Sequence, residues 1–120
     1  MTTDAYLFVI VKQKKKVMFK LFPNNNRQKS IGVSRQYNSI EECRKGLEDF
    51  RILVKTNNLD EKLSIEEVRS TGHLETKYIP KIVESGKVIF QQEFMYWHKS
   101  ECKKWIDRIK KHINANVIEE

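Results

Sequence analysis

Two stretches of the chain, one starting at Tyr37 and one at Tyr96, match without a gap, and this duplication constrains the fold more than any other feature of the sequence. At a shift of 59 residues Tyr37 falls on Tyr96, Glu42 on Glu101, Cys43 on Cys102, Lys45 on Lys104 and Asn57 on Asn116. Apolar character is kept where identity is lost: Leu47 falls on Ile106, Phe50 on Ile109 and Val54 on Ile113. Each set, Cys43-Leu47-Phe50-Val54 and Cys102-Ile106-Ile109-Ile113, steps by four, three and four residues. That spacing predicts two amphipathic helices, each with one buried stripe. Ser39 followed three residues later by Glu42 reads as a capping box. The second copy keeps the acid, Glu101, but has His98 at the cap position.

Strand patterns precede each helix. Tyr6–Val11 is apolar on both faces, as a central strand requires. Val17–Phe22 follows the charged turn Gln13–Lys16 and completes a hairpin, and Ile31–Tyr37 reads as a third strand after the turn cluster Pro23–Asn26. In the second copy Leu63–Arg69, Lys77–Val83 and Val88–Met95 take these places, with Ser85-Gly86 as a tight turn. Pro80 inside a strand predicts an edge or a bulge. Asn116–Glu119 follows the second helix as a last short strand, and Thr56–Lys62 is a polar connection.

The run Ser34-Arg35-Gln36-Tyr37-Asn38-Ser39, then Glu42-Cys43-Arg44-Lys45-Gly46-Leu47 and Phe50, preceded by aromatic-rich strands, resembles the YegP-like family of small bacterial proteins. The resemblance implies tandem strand-strand-strand-helix-strand units that share one antiparallel sheet, exchange their last strands and pack both helices on one face. The second copy departs from the pattern, with Glu93 in the place of Ser34, His98 in that of Ser39 and Trp105 in that of Gly46. The family implies a fold and no site. The expected architecture is therefore α+β: two strand-strand-strand-helix repeats forming one mostly antiparallel sheet, with two helices on one face in pseudo-twofold relation. A single domain would span residues 1–120, with repeat 1 over about 5–58 and repeat 2 over about 63–119.

The net charge is +7 and is local. Lys12–Lys20 carries five lysines and no acid, and Lys99–Lys111 carries six bases against Glu101 and Asp107. Such tracts suit nucleic acid, anionic lipid or an acidic protein. No apolar run reaches the roughly 18 residues of a membrane span. The first residues lack the basic and apolar segments of a signal peptide, and two cysteines are few for a small secreted domain, so a cytoplasmic location is expected.

No catalytic residue is assigned. Cys43 and Cys102 lie on the apolar stripes, where a thiol packs as a small hydrophobe, and a nucleophilic pair of Cys102 with His98 is disfavoured because a cap position faces outward. Four well-separated glycines cannot form a phosphate-binding loop. No metal site or cofactor is implied. The candidate partner-binding residues are Lys12, Lys14, Lys15 and Lys16 in the hairpin, Lys103, Lys104, Arg108, Lys110 and Lys111 on the second helix, and Trp97 and His98 at its start. Lysines can hold phosphates and Trp97 can stack on a base, although a solvated helix face and a charged hairpin tip explain the same residues. Trp105 reads as a filler of the gap between the helices.

The reading is thus a non-catalytic binding protein with a macromolecular partner, an accessory or inhibitor protein being one form. The alternative is a nucleic-acid-associated protein, and an unrecognised enzyme is the third reading. A homodimer through the uncovered sheet face is one assembly this architecture allows.

Overall fold

A computed structural model describes residues 5–25, 28–56, 59–69, 76–93, 95–96 and 98–120. These form seven strands and two helices. In chain order they are β1 (Tyr6–Gln13), β2 (Lys16–Pro23), β3 (Gly32–Ser34), α1 (Ile40–Thr56), a 3-10 turn (Leu59–Lys62), β4 (Leu63–Arg69), β5 (Thr76–Glu84), β6 (Lys87–Gln91), α2 (Lys99–Lys111) and β7 (Asn116–Glu119). One sheet holds all seven strands in the order β4-β5-β6-β3-β2-β1-β7. Every pairing is antiparallel except β1 with β7, which is parallel. No helix among the described residues is long and apolar enough to cross a membrane.

Turn chemistry sets both tight hairpins. Lys14 takes a positive φ of 57° between β1 and β2, and Ser85 and Gly86 take φ of 53° and 78° between β5 and β6. The second pair has the left-handed geometry that matches the twist of a two-residue hairpin. Across the β5–β6 pair Ile82 faces Phe90 while Val83 faces Val88, so Ile89 of β6 is the extra residue of a bulge. The bulge lets Ile89 and Phe90, adjacent in sequence, both pack on the core.

The third strand of each half is shorter than the sequence predicts. The Ser34 Oγ accepts the Phe19 N–H at 2.9 Å and donates to the Arg35 carbonyl at 2.7 Å, so a side chain takes over from the ladder and β3 ends. The chain rejoins the sheet at Tyr37, which exchanges two backbone hydrogen bonds with Val17 at 2.7 and 2.9 Å. In the second half Tyr96 does the same with Tyr78, both bonds at 2.7 Å. Each tyrosine bridge delivers the chain to the start of a helix three residues later.

Pro80 lies neither on an edge strand nor at the bulge, since β5 runs between β4 and β6. Its carbonyl accepts the Gln92 N–H at 3.1 Å, just past the end of β6. The N and O of one strand residue point the same way, so the missing N–H faces a stretch where the ladder has already stopped.

The strand exchange implied by the family is one-sided among the described residues. β7, which follows α2, pairs with β1 in the other half, from Leu7 opposite Asn116 to Ile10 opposite Glu119. After α1 the chain instead makes the 3-10 turn, burying Leu59, and then enters β4 at the sheet edge.

Both helices pack on one side of the sheet, α1 on β1 and β2, α2 on β4, β5 and the 3-10 turn. Their stripes join one core with Phe8, Ile10, Phe19, Leu21, Ile82 and Phe90. Phe90 stacks between Phe50 of α1 and Trp105 of α2, with ring centroids 4.8 and 6.0 Å away. Gly32 is needed beneath it, because a Cβ there would overlap the Phe90 ring. Helix starts follow the sequence: Ser39 Oγ accepts the Glu42 N–H at 3.1 Å, and the His98 N–H donates to Glu101 Oε1 at 3.0 Å.

Candidate functional site

The predicted lysines fall on two separate parts of this frame. Lys12 lies one residue before the end of β1, Lys14 and Lys15 form the turn, and Lys16 opens β2, all exposed. The Lys16 ammonium donates to Asn38 Oδ1 at 2.8 Å, which ties the hairpin tip to the segment entering α1. Lys103, Lys104 and Lys111 are exposed on α2, opposite its buried residues Cys102, Trp105, Ile106 and Ile109. Arg108 is half-buried, and Lys110 pairs with Asp60 of the 3-10 turn at 3.1 Å. His98 is exposed at the helix start. Trp97 lies outside the described residues, as do Phe94 and His73.

Helix α2 packs over β4 and β5, whereas the hairpin tip belongs to β1 and β2. Three strand spacings, roughly 14 Å, separate β5 from β2. The two basic tracts therefore form two patches on different halves of the sheet.

Both thiols are inside. Cys43 and Cys102 are fully buried and unpaired. Burial pushes the Cys43 thiol up to about 11 and raises that of Cys102, to which the nearby Glu101 charge adds. Each is a protonated packing group at neutral pH, the opposite of an activated thiolate. His98 is exposed at the start of α2, whereas Cys102, four residues on, is fully buried.

Two arrangements were not legible from sequence spacing. The first is a pair of crossed ties. Arg51 on α1 donates from Nε to the Ile113 carbonyl at 2.9 Å and from a terminal nitrogen to the Ala115 carbonyl, gripping the segment between α2 and β7. Its guanidinium carbon also lies 5.4 Å over the Phe8 ring. Lys110 holds the same place on α2, fourteen residues after the bridging tyrosine, and reaches the segment after α1 at Asp60.

The second is a cleft of about 580 Å³ beside Gly46, between α1 and β6. Gly46 lies nine residues after Tyr37, and Trp105 nine residues after Tyr96. A Cβ on Gly46 would overlap the Tyr37 hydroxyl, so the glycine admits the tyrosine ring against α1. Burial holds the Tyr37 phenol above its ordinary pKa despite the opposing pull of Arg35, whose guanidinium sits 5.5 Å over the ring. In the second half the Trp105 indole is fully buried and donates from Nε1 to the Ile31 carbonyl. The sequence signal was a glycine in mid-helix, which costs helix stability unless something must come close.

No family model matches the sequence, and no curated protein does. Two solved structures share the architecture. The solution structure of YegP from E. coli, a protein of unknown function, superposes with a TM-score of 0.74 at 19% identity, over 100% of this chain and 97% of that one. A UPF0339 protein from Shewanella oneidensis superposes with a TM-score of 0.68 at 12% identity, over 97% of this chain and 92% of that one. The α+β fold of this chain, a seven-stranded, mostly antiparallel sheet carrying two helices on one side, is the YegP-like fold that its sequence resembles.

Proposed function

We propose that the protein is a non-catalytic binding protein that offers the outer face of α2 to an anionic macromolecule. One observation carries this reading. The two helices lie in the same layer, yet α1 holds four bases against four acids while α2 holds six bases against two. Packing does not require the difference, because Lys103, Lys104 and Lys111 project into solvent. Glu67 beside Lys99, 3.3 Å away, and Asp60 beside Lys110 offset two of the charges and leave the middle of the face cationic.

Nucleic acid is the second reading, favoured by the separate lysine-rich hairpin, which would add a second phosphate contact region. Lysine on a flexible stem suits phosphate backbones without fixed geometry, so this binding would be indifferent to base sequence. Two copies of one ancestral unit would explain the shared stripes, and a reducing compartment suits two unpaired buried thiols.

The test is fluorescence anisotropy with labelled single- and double-stranded oligonucleotides, and with an acidic polypeptide, starting near 50 mM salt. Binding should weaken linearly with log salt. Reversing Lys103, Lys104 and Lys111 to Glu should abolish binding to whichever anion binds, while Arg44→Glu with Lys45→Glu on α1 leaves it within twofold or so. The slope should fall by about one for each phosphate contact removed. A folded α2 triple variant that binds as well as the parent would remove the reading.

A further inference from the structure

We infer that the outer edge of β7 is an interaction surface for a second copy of this chain, which joins it antiparallel with Ile118 on the twofold axis. Backbone alternation sets the register. The Glu120 N–H donates to the Ile10 carbonyl at 2.9 Å, across the parallel β1–β7 pair. The N–H and C=O of one strand residue point the same way, and successive residues point opposite ways. Ile118 therefore also faces β1, while Val117 and Glu119 turn their backbone groups outward. Among the described residues no strand lies beyond β7 to meet them.

These two residues flank Ile118 symmetrically, which makes the edge complementary to itself. In the antiparallel arrangement Val117 of each copy falls opposite Glu119 of the other, and each such pair exchanges both of its N–H···O bonds. Every outward group of both edges is then used. A register moved by two residues sets Val117 opposite itself and Glu119 opposite Ala115, whose N–H is already given to the His112 carbonyl at 3.0 Å. That register forfeits bonds the first one makes.

The side chains permit this contact. Ile118 shares a sheet face with Val9, away from the helices, and at the axis it meets its own copy at the closer of the two cross-strand spacings. On the helix side each Glu119 is paired with Arg44 of its own α1, so the two carboxylates that approach across the axis are neutralised. α1 stands over β1 and β2, so it lies four strand spacings, roughly 19 Å, from its symmetry mate, wider than two touching helices. The opposite edge of the sheet is guarded, with Glu66 of β4 paired with Lys81 on one face and Glu67 paired with Lys99 on the other. β7 has Val117 and Ile118 instead, each 37% exposed. The twofold contact is closed, because it consumes both β7 edges. A four-residue edge falls short of the roughly 1,200 Å² of a stable interface, so the association is weak.

Small-angle X-ray scattering over a concentration series from about 10 μM to about 1 mM tests this. The scattering mass should rise toward two chains and stop there. Val117→Pro removes an N–H that the single chain leaves unused, so it should keep the fold and abolish the rise. Ile118→Lys sets two like charges together at the axis and should do the same, with the amide spectrum of each variant still that of the folded chain. Val88→Lys, exposed on the same sheet face as Ile118, should dimerise like the parent, and so should the α2 reversal variant. A parent that stays monomeric throughout would overturn the assignment. So would growth past two chains, as β7 pairing with β4 of the next copy would give, or a dimer that survives Val117→Pro and is lost in Val88→Lys, which would place the contact on the sheet face. Helix α2 lies toward the far edge of the sheet, so failure here leaves the α2 reading standing, and loss of anion binding leaves this one standing.

Discussion

The two halves solve one packing problem with different residues, and the difference separates what the fold requires from what is free to vary. Each half brings a tyrosine back to the sheet, starts a helix from it and buries a four-residue stripe with a cysteine at its head. Those features recur because the core sets them. What differs is the residue nine places after each tyrosine, glycine in one half and tryptophan in the other, and the charge on the helix exterior. The first difference seats an indole against the sheet in one half and admits the ring of the bridging tyrosine against the helix in the other. The second makes one helix neutral outside and the other cationic.

The largest test of this contrast is at the junctions themselves. Trp105→Ala removes a fully buried indole that stacks on Phe90 and should cost about 3–5 kcal/mol in urea unfolding, enough to approach the whole stability of a small domain. The reciprocal change, Gly46→Ala, should cost about 1–3 kcal/mol by forcing Tyr37 off the helix, and Tyr37→Leu should recover part of it in a double-mutant cycle. If Gly46→Ala proves neutral, the close approach of the ring does not define the first half.

The crossed ties come next. Arg51→Ala leaves two main-chain carbonyls without their charged donor and should cost about 1.5–3 kcal/mol, with faster amide exchange in β7. Lys110→Ala breaks only a surface pair with Asp60 and should cost under about 1 kcal/mol. Equal losses would mean that the ties are equivalent and the contrast fails here.

The thiols give a smaller effect with a defined sign. Cys43 titrates near 11 in the fold against an ordinary value of 9.0, so over that interval the folded protein keeps a proton that the unfolded chain has released. Stability is therefore fully present below pH 9 and falls as pH rises toward 11, by at most about 3 kcal/mol from this group. Cys43→Ala should flatten that part of the stability–pH curve. Tyr37 and Tyr96, both raised by burial, leave a residual slope at the alkaline end. An unchanged slope in Cys43→Ala would show that the thiol is not the group responsible.

Much of this architecture could be read from residue spacing. The stripes at Cys43 and Cys102 gave both helices, because a buried face imposes its period on the sequence, and β4 and β7 begin and end where the pattern said. The third strands could not be read, because Ser34 ends β3 by a hydrogen bond to Phe19 that lies fifteen residues away, and Pro80 is tolerated only because β6 has already stopped. The one-sided strand exchange was equally hidden, since it depends on Leu59 turning inward after α1. For the candidate surfaces, the sequence located the lysines but not the breadth of sheet between the two patches. Gly46 and Trp105 were visible as a mismatch, yet only the three-dimensional approach of Tyr37 gives the glycine a reason.

The pairing of Leu7 with Asn116 has a consequence for synthesis. β1 is apolar on both faces, and one of its edges stays bare until a strand made about a hundred residues later arrives. A nascent chain stalled before residue 116 would carry most of its core material and an unprotected template for pairing with another copy. Closing so long a loop is slow relative to local helix formation, so the last strand sets the moment at which the protein stops being sticky.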